Sequence, residues 1–225
     1  MAGGRVYECD PFTPGSQGAL RSALGTFNHE AAAVDPLHHT VYLTEDRPDG
    51  LLYRFTPEIY ADLGSGVVEA AEILDPGGRG PIEPGEVRDL AWHVVPAPSP
   101  AGGGVQSPTH LPLTQRATRY QVPDATPFDG GEGCWYAAGA VHFSTKGDNR
   151  VWRIARPGGA GTRRRSGRHA RGGGGRADRI SIVYDRATSA NPELSGVDNV
   201  YVTPTGDVYV AEDGGNLQIV ALTPS

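Results

Sequence analysis

The sequence predicts an all-β protein, and three features support this prediction. The 225 residues include 32 glycines and 19 prolines, so turns are frequent. Short apolar runs with alternating polarity recur along the chain, and Gly, Asp, Asn or Pro separate them. Only residues 57–74 contain enough helix-forming residues for a long helix, and glycines interrupt that stretch.

The strand candidates fall into three groups, each with the pattern of an antiparallel meander joined by short turns. The first group is EAAAVDP, TVYLTED and GLLYRFT; the second is GCWYAAG, AVHFSTK and RVWRIA; the third is NVYVTPTGDVYVAED followed by LQIVALT. A repeated meander of this size is typical of a β-propeller blade, in which antiparallel strands pack around a central channel. We therefore predict one partial, incomplete propeller domain over residues 1–225, with about three to four blades.

Two segments interrupt the repeated pattern. Residues 96–127 are rich in Pro, Gly, Ser and Thr, which predicts a long irregular connection at the surface. Residues 156–179 form an Arg/Gly-rich stretch of low complexity between two strand candidates, which predicts a disordered, solvated insertion.

Charge and composition restrict the possible partners. The net charge of −6 argues against nucleic acid, because binders of nucleic acid normally carry a basic face. No apolar run approaches the roughly 20 residues that span a bilayer, and the first residues lack the pattern of a signal peptide. Cys9 and Cys134 are too few for a disulfide framework, so we expect buried free thiols.

Acidic residues recur at matching positions of the three groups. Val41, Val141 and Val208 mark equivalent middle strands, and a carboxylate lies nine to eleven residues before each of them. These carboxylates belong to Glu30, Glu132 and Asp198; a second polar cluster follows each middle strand and consists of Glu45 and Asp46, Lys146 and Asp148, and Glu212 and Asp213.

The first strand of a propeller blade lines the central channel, so we expect the three upstream acids to share one region at its mouth. Several carboxylates in one place repel one another unless a cation joins them, so bound cations are the expected partner. The alternative is that each acid caps a turn, which Asp and Glu often do.

Four stretches together resemble the PhoX-type alkaline phosphatase family of bacterial propeller proteins: FNHEAAAVDPLHHTVYLTEDRPDGLLYRFTP, FDGGEGCWY, STKGDNRVW and GVDNVYVTPTGDVYVAEDGGN. The resemblance implies a six-bladed propeller whose channel mouth holds Ca²⁺ and Fe³⁺ and hydrolyses phosphate monoesters. It matches Glu30, Asp46, Glu132 and Asp198 to metal-bridging acids. Possible additional site residues are His29, Lys146, Glu212 and Asp213.

The sequence also departs from the family pattern. The family has an iron-ligating cysteine in a motif that resembles TWLTCEE, and this motif is absent here, so Cys9 is not assigned to iron. Gly130 and Gly131 precede Glu132 where the family is expected to carry an arginine that holds phosphate. We expect a truncated chain that contains the C-terminal half of the propeller, which leaves its catalytic activity open. The resemblance implies export to the periplasm or the medium.

Three functions remain open at this point. The first is a PhoX-like phosphatase that acts on a small phosphorylated substrate with Ca²⁺ and Fe³⁺. The second is a lactonase-type propeller hydrolase with a calcium ion and Asn199 as a candidate ligand. The third is a calcium-stabilised platform for other proteins. An open arc of blades exposes unpaired strand edges, so a complementary N-terminal half or self-association is expected.

Overall fold

A computed structural model of the chain describes residues 3–101, 104, 110–157 and 177–223. Within these residues the secondary structure is almost entirely β, which confirms the predicted fold class. The strands are β1 (Tyr7–Glu8), β2 (Ala19–Leu20), β3 (His29–Asp35), β4 (Thr40–Glu45), β5 (Leu52–Pro57), β6 (Gly66–Ile73) and β7 (Val87–Val94). They continue with β8 (Gly131–Ala137), β9 (Ala140–Thr145), β10 (Arg150–Ala155), β11 (Asp178–Asp185), β12 (Val197–Val202), β13 (Val208–Glu212) and β14 (Ile219–Leu222). Short 3-10 helices lie at Ser22–Leu24, Leu113–Gln115 and Thr118–Tyr120.

Three antiparallel meanders organise these strands. The first meander is β3–β6, the second is β8–β11 and the third is β12–β14. Strand β7 pairs with both β6 and β11, so the first two meanders form one nine-stranded sheet in the order β3-β4-β5-β6-β7-β11-β10-β9-β8. The end strands of this sheet, β3 and β8, contact each other, so the sheet is nearly closed and barrel-like. Strand β8 also contacts β12, which places the first strands of the three meanders side by side. The number of propeller blades stays a prediction.

Three hydrophobic clusters hold the meanders together. The first includes Tyr42, Phe143 and Trp152 and lies between the first and second meanders. The second includes Tyr53 and Phe55 and packs the other face of the first meander. The third includes Val208 and lies between the second and third meanders. Middle strands β4 and β9 therefore have apolar layers on both sides, which is why all six residues of each are buried.

Residues 57–74, the best helix candidate of the sequence, do not form an α-helix. Strand β6 occupies Gly66–Ile73 and pairs with β5 and β7. Its Val68, Ala70 and Ala71 side chains are buried in the clusters. Tertiary packing therefore outweighs helix propensity in this stretch, as it commonly does.

The two irregular segments differ from the predictions in detail. Within the described part of residues 96–127 there are 3-10 helices and no strand, but residues 117–119 and 121–122 are buried rather than at the surface. The side chain of Gln121 bonds to the backbone of Ala97 through both its amide and its carbonyl, which fixes this connection to the protein. Of residues 156–179, Asp178 and Arg179 already belong to β11, and residues 158–176 lie outside the described part of the chain.

The two cysteines are free, but only Cys134 is buried, whereas Cys9 is exposed, contrary to expectation. No helix of the described residues has the length and apolar character that crossing a membrane requires.

Candidate metal centre

The three carboxylates at matching sequence positions occupy the same structural position in the three meanders. Glu30, Glu132 and Asp198 are each the second residue of their meander's first strand. The pairing between the first and second strands is irregular at this step in every meander. Two residues of the first strand oppose one residue of the second there, which is the pattern of a β-bulge. A bulge redirects side chains, so the repeated bulge turns three carboxylates towards one place.

The bulges of neighbouring meanders are linked by hydroxyl groups. The Thr44 hydroxyl of the first meander donates to the carbonyl oxygen of Glu132 at 2.6 Å. The Ser144 hydroxyl of the second meander donates to the carbonyl oxygen of Asp198. Each hydroxyl belongs to a residue that lies across from the bulge of its own meander. The hydroxyl donates its hydrogen bond to the backbone at the bulge of the next meander. The equivalent residue of the third meander, Ala211, has no hydroxyl group.

A glycine allows the second and third meanders to approach each other beside the acids. A Cβ atom on Gly133 would lie 2.5 Å from the backbone nitrogen of Val200 and 2.6 Å from the Cα atom of Asn199. Both are backbone atoms of β12 and cannot rotate away. A glycine at position 133 is therefore required for the close contact between β8 and β12 that brings Glu132 beside Asp198.

The acids line a cavity of about 380 Å³, which we call the acidic cavity. One carboxylate oxygen each of Glu30, Glu132 and Asp198 lies within 4.8 Å of the others. Three further residues line the cavity, and each directly follows the last residue of a second strand: Asp46, Lys146 and Asp213. The cavity thus combines two residues from each meander.

Lys146 is the cationic group of the acidic cavity and the only lysine of the chain. Its ammonium nitrogen lies 2.8 Å from Asp46 Oδ1 and 2.5 Å from Glu132 Oε1. Although partial burial disfavours the charged form, these two carboxylates raise the pKa of Lys146. Gly130, at φ +69°, leaves room for the lysine, since a Cβ there would lie 2.8 Å from Lys146 Cγ.

Two of the carboxylates have raised pKa values. Burial raises the pKa of Glu132 to about 7; its contact with Lys146 opposes the rise, and the Asp46 and Glu30 carboxylates add to it. Partial desolvation raises the pKa of Glu30, and Asp46 and Asp198 raise it further. Burial is the larger cause of both shifts and the neighbouring carboxylates add to it, so their negative charge would stabilise a cation placed here.

The residues at the ends of the second strands shape the turns that carry the cavity residues. Glu45 is fully buried and accepts hydrogen bonds from the Tyr53 hydroxyl at 2.8 Å and the Leu51 amide at 3.2 Å. Arg119 pairs with Glu45 at 3.2 Å and with Asp49 at 3.0 Å. These contacts fix the turn that begins with Asp46. Sequence reasoning missed Arg119, because it lies within the stretch that was predicted as a surface connection.

Three of the residues predicted at the site do not line the acidic cavity. The His29 ring packs against the Phe27 ring at a tilt of 33°, and its Nε2 contacts the Gly25 carbonyl at 3.3 Å. Glu212 accepts hydrogen bonds from the amides of Ser195 at 2.6 Å and Gln218 at 3.0 Å, so it braces a turn as Glu45 does. Asn199, the lactonase candidate, lines an apolar groove with Tyr201 and Tyr209, although its amide contacts Asp198 at 3.3 Å.

The donor set suits a calcium ion. Calcium binds oxygen ligands at 2.3–2.6 Å, so two oxygens on one ion lie up to roughly 5.2 Å apart. The spacing of the Glu30, Glu132 and Asp198 oxygens falls within this limit. No thiolate is available for iron in the cavity, because Cys9 and Cys134 do not line it. Burial in the first cluster also raises the pKa of Cys134 to about 12.

Comparison with known proteins gives one result. The family model described as alkaline phosphatase PhoX matches residues 2–225. No curated protein and no solved structure matches the chain.

Proposed function

The chain belongs to the alkaline phosphatase PhoX family, and on this premise we propose that it hydrolyses phosphate monoesters at the acidic cavity with the help of bound Ca²⁺. The observation that carries the proposal is the convergence of Glu30, Glu132 and Asp198, one from each meander, with carboxylate oxygens within 4.8 Å of one another. The other proposed ligands are Asp46 and Asp213, which line the same cavity.

A calcium ion held by these carboxylates would supply positive charge that grips phosphate oxygens and offsets the charge that develops in the transition state. The protein's own part is to keep the acids in place. The linked bulges and the Thr44 and Ser144 hydroxyls do this through the backbone, so the carboxylates need little reorganisation when the ion binds. An Fe³⁺ ion would depend on carboxylates alone, because no cysteine lines the cavity.

Lys146 is proposed to contact the phosphate group. The family is expected to hold phosphate with an arginine close before the residue that matches Glu132, and Gly130 and Gly131 stand there in this chain. The stem of Lys146 passes beside Gly130, where a larger residue would collide with it. Its side chain is half exposed and lines the cavity, so the ammonium group can exchange a carboxylate contact for a phosphate oxygen.

A second candidate function, a non-catalytic interaction platform, is supported by the third meander. One face of its sheet is covered by the third cluster, whereas Tyr201, Tyr209 and Ile219 on the other face are 46%, 40% and 75% exposed. These side chains line a groove that is almost entirely apolar. An exposed apolar sheet face suits contact with another protein, including a second copy of this chain or a complementary half of the propeller.

The decisive experiment measures turnover of p-nitrophenyl phosphate and of a lactone panel with Ca²⁺ or Fe³⁺ added. We expect phosphate-ester hydrolysis that requires Ca²⁺ and that falls by about 100-fold or more in Glu132→Gln. Loss of a residue that only orients a metal ligand can already lower activity by this amount, and Glu132 is proposed to bind the ion directly. Glu193→Gln is the matched control, because Glu193 is exposed and does not line the cavity.

Each other outcome points to a different function. Turnover of a lactone without turnover of the phosphate ester would favour a lactonase function. Absence of any turnover, together with a melting temperature that Ca²⁺ still raises, would leave the platform. Equal phosphatase activity in Glu132→Gln and the wild type would contradict the proposed site.

A further inference from the structure

A second cavity lies at the opposite end of β8 and β9 from the acidic cavity. Its volume is about 430 Å³, and it opens between the second and third meanders. Its lining includes Ala140, His142, Arg153, Val202, Val208 and Leu222. We call it the basic cavity, because Arg153 is the only charged residue among those that line it in the described part of the chain. Ala140 and Lys146 are separated by one strand length of β9, roughly 17–20 Å, so the two cavities are distinct.

His142 and Arg153, which line the basic cavity, belong to a row of residues that crosses three neighbouring strands. Trp135 of β8 pairs with His142 of β9, and His142 pairs with Arg153 of β10. Directly opposed residues of antiparallel strands place their side chains on the same face of the sheet. The imidazole and the guanidinium group therefore stand side by side, on the face that looks towards the third meander.

His142 is buried in this row, and one of its two ring nitrogens has no hydrogen-bond partner among the described residues. Its exposed fraction is 6%, and its Nδ1 atom is buried and unpaired among the described residues. Burial, with a contribution from Arg153, lowers the pKa of His142 to about 4, so the imidazole is neutral at neutral pH. A buried, unpaired polar group is costly, and native proteins normally satisfy such a group. His142 thus lines the cavity with a ring whose Nδ1 atom is buried and unpaired among the described residues.

Arg153 and Arg179 are the arginines of the nine-stranded sheet that form no ion pair among the described residues. Arg54, Arg88, Arg150 and Arg156 all form ion pairs with nearby carboxylates. In the described part of the chain, no carboxylate lies within ion-pair distance of Arg153, and no acidic residue lines the cavity. Its guanidinium group is thus available to an anion from solution.

We propose that the basic cavity binds a small monocarboxylic acid with an aliphatic tail. The planar guanidinium group of Arg153 matches a carboxylate with two parallel hydrogen bonds. The apolar side chains of Val202, Val208 and Leu222 receive the tail. A single arginine beside a neutral imidazole suits one negative charge better than the two of a phosphate monoester. This site does not depend on the proposed phosphatase activity, because it shares no lining residue with the acidic cavity.

Calorimetry tests the proposal with hexanoate as the probe, and with hexanamide and inorganic phosphate as comparison compounds. EDTA is present throughout, so that binding through a metal ion does not contribute. We expect hexanoate to bind at least about 10-fold more tightly than hexanamide, and Arg153→Gln to weaken hexanoate by at least about 10-fold. Arg153 is exposed, so this variant should keep its fold. Arg5→Gln is the matched control, because Arg5 is also exposed and lies outside the cavity lining.

NMR spectroscopy of the folded protein checks the location of binding through the backbone amide signals. Hexanoate should shift the signals of Ala140 and Val208 and leave those of Glu30 and Asp198 unchanged. Equal affinity for hexanoate and hexanamide, an unchanged affinity in Arg153→Gln, tighter binding of phosphate, or no binding at all would each overturn the proposal.

Discussion

The acidic and basic cavities lie at opposite ends of the same two strands, β8 and β9, and differ in how their charged groups arise. The acidic cavity has a volume of about 380 Å³ and takes two residues from every meander, one turned inward by a repeated bulge and one that follows the second strand. The basic cavity is of similar size, about 430 Å³, but its polar row belongs to the second meander alone. The repeated bulge gathers several carboxylates, and their negative charges favour a bound cation. The single row of the basic cavity supplies one cationic group, Arg153, which suits an anion.

The strongest test of the acidic end removes the close contact between β8 and β12. Gly133→Ala should lower the free energy of unfolding by about 3 kcal/mol, because the added Cβ meets backbone atoms of Val200 and Asn199 that cannot move aside. Calcium affinity should fall with it, since Glu132 and Asp198 would be pushed apart. Urea denaturation and calcium titration measure both effects.

The matched control for this change is Gly77→Ala. Gly77 is exposed in a turn, and a Cβ there would lie 3.6 Å from the nearest atom, which is an ordinary contact. A loss of stability in Gly77→Ala as large as that in Gly133→Ala would show that loss of glycine, rather than the contact with β12, is responsible.

A test of the basic end uses the pH dependence of stability. Folding lowers the pKa of His142 from 6.5 to about 4, so between these pH values the unfolded chain binds a proton that the folded chain does not. The free energy of unfolding should therefore fall by about 3 kcal/mol as the pH drops through this window, and His142→Gln should remove that part of the fall. Urea denaturation at a series of pH values measures it.

The control for this prediction is His39→Asn, since His39 is exposed and has a positive φ of 55°, which Asn tolerates. Part of the acid sensitivity should remain in both variants, because burial also lowers the pKa of His29 to about 4. A pH dependence of His142→Gln identical to that of the wild type would contradict a neutral, buried His142.

The smallest expected effect concerns Lys146, the cationic residue at the acidic end. Without metal, Lys146→Gln should cost no more than about 1 kcal/mol, because the lysine side chain is 47% exposed and such ion pairs contribute little. With Ca²⁺ present the same change should raise calcium affinity, since the Glu132 and Asp46 carboxylates would no longer be paired with the ammonium group. Calcium titration by calorimetry measures it, and Arg5→Gln serves as the control. Weaker calcium binding in Lys146→Gln would show that the lysine supports the ion rather than competing with it.

Much of the acidic cavity could be predicted from the sequence. The alternation of apolar residues fixed the middle strands around Val41, Val141 and Val208, and the acids at matching distances followed from that alignment. Four of the predicted residues, Glu30, Asp46, Glu132 and Asp198, line the cavity, as do the additional candidates Lys146 and Asp213. His29 and Glu212 do not line it, because side chains next to each other along a strand face opposite sides, and the bulge decides which of them turns inward.

The sequence by itself determined the β class and the repeat, because both follow from short-range patterns of apolar residues, turns and acids. Only the tertiary structure decided which groups meet across strands that are far apart in the chain. The pairs of Arg119 with Glu45, of Lys146 with Asp46 and of His142 with Arg153 depend on strand register and on contact between meanders. Register is set by the packing of whole sheet faces, which no local stretch of sequence contains.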